Sequence, residues 1–299
     1  MTQYHNPVLL KEACNGLKIR PEGIYVDVTF GGGGHSRAIM GQLGEGGRLF
    51  GFDQDADAYE NRIEDSRFEF ISANFRHLNQ YLKYHGVFTV DGILADFGVS
   101  SHQFNQGSRG FSIRNTARLD MRMNQAQALD AHQVINQYSE VALSQLLFHY
   151  GELRNAKKIA KTIIIARTDG EIETTHDLIK IVKPLVSQRF ENKVLAQIFQ
   201  AIRIEVNEEL GVLKAFLEQA TSALKPGGRL VCISYHSLED RAVKRFIQSG
   251  NFEGAEEKDF YGNSLSPLRK IGKLIVPTKE EIELNSRARS AKLRIAEKK

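Results

Sequence analysis

The sequence predicts an α/β chain in which a doubly wound parallel sheet is interrupted by an all-helical insert. Three observations point to it. Short apolar runs alternate with helical spacing through about residue 100. From about Gln106 to Arg203 only helical patterns appear, and a long amphipathic stretch with a further apolar run then restores the alternation. We place the sheet domain at 1–105 and 206–299 and the helical insert at 106–205. A chain of 299 residues has room for one large domain and a smaller one, and its 41% hydrophobic content is ordinary for a globular protein.

The first predicted strand is the β-branched and aromatic run around Ile24, Tyr25, Val26 and Val28, which stops at four consecutive glycines, Gly31 to Gly34. Strand, tight turn and helix start follow one another here. Glycines let backbone N–H groups approach a ligand closely, and the helix beginning near Ser36 presents unpaired donors. Arg48 to Asp53 is the second strand, ending in an acid about twenty residues after the glycines. A carboxylate at that place accepts hydrogen bonds from ribose hydroxyls, so a nucleotide-like ligand is the first reading. Gly31 and Gly33 fit the first two positions of G-x-G-x-x-G, but Ser36 occupies the third and no P-loop Lys-Ser/Thr follows. A nicotinamide cofactor stays open as an alternative, as does a merely flexible surface loop.

Phe68 to Ala73 and Val90 to Asp96 continue the strands, with Leu78, Leu82 and Val87 at helical spacing between them. Within the insert, Ala156, Ile159, Ala160, Ile163 and Ile164 share a helix face. Leu210, Leu213, Phe216, Leu217, Ala220 and Leu224 mark the next strong helix, with Asn207 as its expected cap. Lys225-Pro226-Gly227-Gly228 reads as a stop and turn before a strand from Arg229 to Tyr235.

Net charge is +4, and its placement is uneven: Ser286 to Lys299 holds six basic residues and one acid. That segment suits phosphate contacts, or serves as a solubilising tail. Two distant cysteines, Cys14 and Cys232, suggest neither a disulfide framework nor a zinc cluster. The N-terminal residues lack a signal-peptide pattern and no run approaches a membrane span, so a cytoplasmic protein without membrane insertion is expected.

Asp91-Gly92-Ile93-Leu94-Ala95-Asp96-Phe97-Gly98-Val99-Ser100-Ser101-His102-Gln103 ends the fourth strand in an acid and a polar loop. This block is joined by His5-Asn6-Pro7-Val8, the glycine turn, Arg109-Gly110-Phe111-Ser112, Leu119-Asp120-Met121-Arg122-Met123 and Tyr150-Gly151-Glu152. Phe199 to Ile204, His236-Ser237-Leu238-Glu239-Asp240-Arg241 and Arg287 to Arg294 complete the set. With these ordered blocks the chain closely resembles, from end to end, the RsmH (formerly MraW) family. The resemblance implies a Rossmann-like class I S-adenosylmethionine-dependent methyltransferase sheet. It also implies a bacterial enzyme that methylates the exocyclic N4 of a cytidine in the decoding, P-site region of 16S ribosomal RNA, with the small ribosomal subunit as partner. Small departures occur at Ala56, Leu153 and Leu195-Ala196-Gln197, where the family commonly has Pro, a second acid and Pro-Ala-Thr.

Carried over by motif, the resemblance assigns S-adenosylmethionine to Gly33, Gly34, His35, Asp53, Phe75, Asp96 and Gln103. Asp96, beside the donor, is the catalytic candidate: an acceptor on the amine N–H favours attack by a poorly nucleophilic nitrogen and can take its proton, with the Phe97 carbonyl as second acceptor. A splayed base needs apolar faces, for which Phe97, Phe104 and Phe111 are candidates, although each also suits a core. His236 either lines the acceptor pocket or caps the following helix, and Arg287 and Arg289 are candidates for RNA contact. Arg118, Arg122, Arg203 and Arg241 are either phosphate ligands or salt-bridging residues. No metal site is expected, since His35 has no second ligand at suitable spacing. A non-catalytic RNA-binding assembly factor and a nicotinamide-dependent oxidoreductase are the alternative functions.

Overall fold

The computed structural model describes residues 7–299, so His5 and Asn6 of the first block lie outside the described residues. The chain forms two compact units, one built from the residues up to Gly98 with Leu210–Lys299 and the other from Val99–Glu209. The boundaries therefore fall at 98/99 and 209/210, not at 105/106 and 205/206. At the first, Val99 already packs against the core of the second unit. At the other, Asn207 and the Arg203–Glu209 ion pair extend the second unit beyond its last helix.

In the first unit, β1 (Ile24–Asp27), β2 (Arg48–Asp53), β3 (Phe68–Ser72), β4 (Val90–Asp96), β5 (Leu224–Ser234), β6 (Leu268–Ile275) and β7 (Lys292–Lys298) make one sheet. Its order is β3-β2-β1-β4-β5-β7-β6. The first five strands run parallel, while β7 is antiparallel to both β5 and β6. Five parallel strands in this order, with helices on both faces, match the Rossmann-like sheet that the resemblance implies. Both faces are covered, which is why the strands read as continuous apolar runs. Val26, Phe50, Phe52, Ile93 and Leu230 point into a core with Leu213, Phe216 and Leu217 of the helix Glu209–Ala223. Their neighbours Tyr25, Leu49, Leu94 and Val231 point into the opposite core with Ala13 and Leu17 of the helix Leu10–Leu17.

Two local expectations are revised. Lys225-Pro226-Gly227-Gly228 does not precede the fifth strand but bulges within it: Val90 pairs with Leu224 and Gly92 with Arg229, so the extra residues loop out, with Gly227 at φ 77°. The basic C-terminal segment is not a solubilising tail. It forms β7 in the sheet interior, where Lys292 and Arg294 pair with Asp240, and Glu297 pairs with Arg229 and Arg269.

The second unit packs helices around its own apolar core, including Glu140–His149, Ala156–Ala166, Thr175–Val182 and Glu191–Val206. Capping boxes at Asp130/Gln133 and Thr174/Asp177 start two of its helices. A single antiparallel bridge, Arg118 with Thr174, is the extended pairing it contains among the described residues. Asn207 is not the cap of the following helix. It closes the C-terminus of Glu191–Val206 instead, where its amide donates to the Met121 and Arg203 carbonyls and accepts from the Met123 N–H at 2.7 Å. Among the described residues no helix is long and apolar enough to cross a membrane.

Candidate active site

The carboxyl ends of β1, β2, β4 and β5 converge around the glycine turn. After Asp27 the chain stays extended, Val28 N–H donating to the Leu94 carbonyl and Phe30 N–H to that of Phe52, both at 2.9 Å. The turn then tightens, with Gly33 N–H donating to the Phe30 carbonyl at 2.7 Å. Gly33 lies at φ 72°, and a Cβ there would stand 2.8 Å from the Phe30 ring. Both conditions demand glycine. The helix Gly34–Met40 follows, with His35 and Ser36 buried in its first turn.

Three aspartates occupy the strand ends. Asp27 is buried and accepts from the Ser36 hydroxyl at 2.7 Å and the Thr29 N–H at 3.1 Å. Asp53 accepts from Gly31 N–H at 2.8 Å and Asp55 N–H at 2.9 Å, tying the end of β2 to the glycine turn. Asp96 accepts from the Tyr235 hydroxyl at 2.8 Å, and its own N–H donates to the Thr29 hydroxyl at 2.7 Å. Burial pushes the carboxyls of Asp53 and Asp96 up to about 6 and raises that of Asp27 as well. Asp27 adds to the other two shifts by like-charge repulsion.

Tyr235 holds the Asp96 carboxylate by its hydrogen bond, and His35 stands beside it. His35 is buried, and its Nε2 lies 3.0 Å from the Val8 carbonyl, which can only accept. Nε2 therefore carries a proton, and Nδ1 faces the Asp96 carboxylate at 3.8 Å. Burial raises the Tyr235 phenol well above its ordinary value, so it stays a donor. Glu239 anchors the Tyr235–His236 corner by accepting from both backbone N–H groups, at 2.8 and 3.3 Å.

Gly33, Gly34, His35, Asp53, Phe75, Asp96 and Phe97 all belong to the first unit, and Gln103, Phe104 and Phe111 to the second. Phe75 packs edge-on to Phe216 with centroids 5.4 Å apart and against Phe97 at 6.3 Å. Gln103 closes a capping box with Ser100, accepting from the Ser100 N–H at 3.0 Å. The rings of Phe97 and Phe111 are each 5% exposed and packed into the two cores, the core reading that the sequence also allowed, whereas Phe104 is exposed. His236 caps the helix Ser237–Ser249 through Nδ1, which accepts from the Glu239 N–H. Arg287 is half-buried and Arg289 exposed on the turn before β7. Arg118, Arg122 and Arg203 are salt-bridging residues, held by Asp130, Asp120 and Glu209.

Tyr235, Asp27 and Thr29 are the site residues missing from the sequence reading. Their signal was positional: Asp27 ends β1, Thr29 follows it, and Tyr235 follows β5, all where an open α/β sheet presents side chains to ligands.

A family model described as the MraW methylase family matches residues 2–299. The chain is 59% identical to the ribosomal RNA small subunit methyltransferase H of Christiangramia forsetii, the match covering 100% of this chain and 99% of the relative. It is 58% identical to the protein of the same name from Flavobacterium johnsoniae, over 99% of this chain and 98% of the relative. With that of Bacteroides fragilis the identity is 55%, over 100% and 98%.

Proposed function

The chain belongs to the MraW methylase family, and from that premise we propose that it methylates the exocyclic N4 of a cytidine in the decoding region of 16S ribosomal RNA, acting on the small subunit. The observation that carries the reading is Asp96, a partly exposed carboxylate at the end of β4, held on one oxygen by Tyr235 and faced on the other by His35. S-adenosylmethionine, when bound, supplies the methyl group from its sulfonium by in-line displacement. The residues at the strand ends suit that donor. Asp53 offers acceptors to ribose hydroxyls, the glycine turn brings backbone close without a Cβ at Gly33, and Phe75 gives an apolar face for the adenine.

Asp96 and the Phe97 carbonyl accept the two amine N–H groups, orienting the nitrogen lone pair toward the methyl group. Asp96 then takes the proton released as the N–C bond forms. Tyr235 favours the ionised carboxylate by donating to it. The second unit, with the exposed ring of Phe104, serves substrate recognition, as do His236, Arg287 and Arg289 in the first, while Gln103 is assigned to the donor.

Tyr235→Phe removes a hydrogen bond made to the charged form of Asp96, a contact worth about 1.5–3 kcal/mol. The acid limb of the kcat profile is expected to move up by about 1–2 pH units while the plateau at high pH stays near the parent's. A profile identical to the parent's would remove Tyr235 from this role.

The reaction itself is tested with small ribosomal subunits from a strain lacking this protein, incubated with the chain and labelled S-adenosylmethionine and digested for nucleoside mass spectrometry. N4-methylcytidine is the expected product. Label in another nucleoside, or no label despite tight donor binding, would overturn the reading.

A further inference from the structure

Outside the strand-end cluster, the helix Ser237–Ser249, β6 and β7 enclose a groove of about 150 Å³. Ile247 and Ile295 belong to its aliphatic floor, and Lys244, Lys270, Lys273 and Arg294 stand around it. Neither a carboxylate nor an aromatic ring is among the lining residues. Arg294 shares Asp240 with Lys292, at 2.7 and 3.2 Å, so one carboxylate already serves two cations. Glu297, the acid on β7, is held by Arg229 at 2.8 Å and by Arg269. Lys244, Lys270 and Lys273 are left without an ion pair among the described residues.

We propose that this groove binds the phosphate backbone of an RNA strand, at a place separate from the reaction centre. The inference rests on the reading that the substrate is ribosomal RNA. The residue types decide the mode. Lysines act as point charges toward phosphate, and without an aromatic ring the groove has no platform for stacking a base. Its contacts therefore position the RNA without reading its sequence. β6 is one of the two edge strands, where lysines also discourage strand addition. Lys244, on the facing helix, has no such use, and its convergence with the β6 lysines on one groove favours a shared anion.

The test compares the parent with the triple variant Lys244→Ala/Lys270→Ala/Lys273→Ala. Binding to an unmodified transcript of the decoding region is followed from about 50 to 200 mM salt, where each lost phosphate contact lowers the slope of log K against log salt by about 0.7–0.9. The triple variant is expected to lose about 2–3 from that slope, and to raise KM for subunits while kcat and donor affinity hold. A Lys→Arg triple should retain the parent's slope, which separates lost charge from lost folding. An unchanged slope and RNA affinity in the alanine variant would overturn the inference. So would an effect confined to phosphatidylserine vesicles, which would make the face a membrane contact. If the parent binds RNA through the groove but transfers no methyl group, the functional reading falls and the groove stands.

Discussion

Replacing Asp96 with alanine is expected to lower kcat for methyl transfer by about 10²–10⁴-fold, the usual worth of a positioned proton acceptor. Donor affinity should change far less. The pH dependence is the sharper signature. Burial pushes the Asp96 carboxyl up to about 6, so the parent's rate should fall as pH drops through that value, because a protonated carboxyl no longer accepts from the amine. Stability runs the other way. Between the ordinary value of 3.8 and about 6 the folded chain holds a proton that the unfolded chain has released, so this group's contribution is present below about pH 4 and lost as pH rises through 6. Asp96→Asn should therefore raise the Tm at neutral pH while abolishing most turnover, a combination expected of a functional carboxylate held in an unfavourable place. Normal turnover by Asp96→Ala, measured on subunits at pH 7.5 and saturating donor, would exclude the catalytic assignment.

Asp53→Ala should weaken S-adenosylmethionine binding on the order of 10²–10⁴-fold. Two hydrogen bonds from ribose hydroxyls to a charged acceptor are worth roughly 1.5–3 kcal/mol each, and each 1.4 kcal/mol is about tenfold in Kd. The same carboxylate accepts from Gly31 N–H, so its loss also releases the glycine turn from the end of β2. Asp53→Asn keeps one oxygen acceptor and should fall between the parent and the alanine variant. Calorimetric titration with the donor reads all three proteins directly; equal affinities would mean that the donor lies elsewhere.

The parts of this site legible in the sequence are those whose physics is local. A glycine run after a β-branched run, and an acid ending the next strand, state their geometry within a few residues, and Asp53 accepts from the Gly31 N–H of that run. Strand β7 was illegible because its charges are balanced by residues far away in the chain: Asp240 for Lys292 and Arg294, and Arg229 and Arg269 for Glu297. Read alone, that segment has the composition of a solvated tail. Phe97 and Phe111 were ambiguous for a related reason, since a single aromatic residue in a loop carries no periodicity to say whether it faces a core. Asn207 sits between two helices, and its type suits either end; the Met121 and Met123 backbone groups that settle the matter are over eighty residues earlier.

The sheet order also governs the sequence of events in folding. β6 precedes β7 along the chain, yet its pairing partner in the sheet is β7, which lies between it and β5. β6 therefore has no strand to join until β7 is present, and without β7 the edge of β5 is open. β7 is thus a keystone: its loss would strand β6 and leave an aggregation-prone sheet edge exposed.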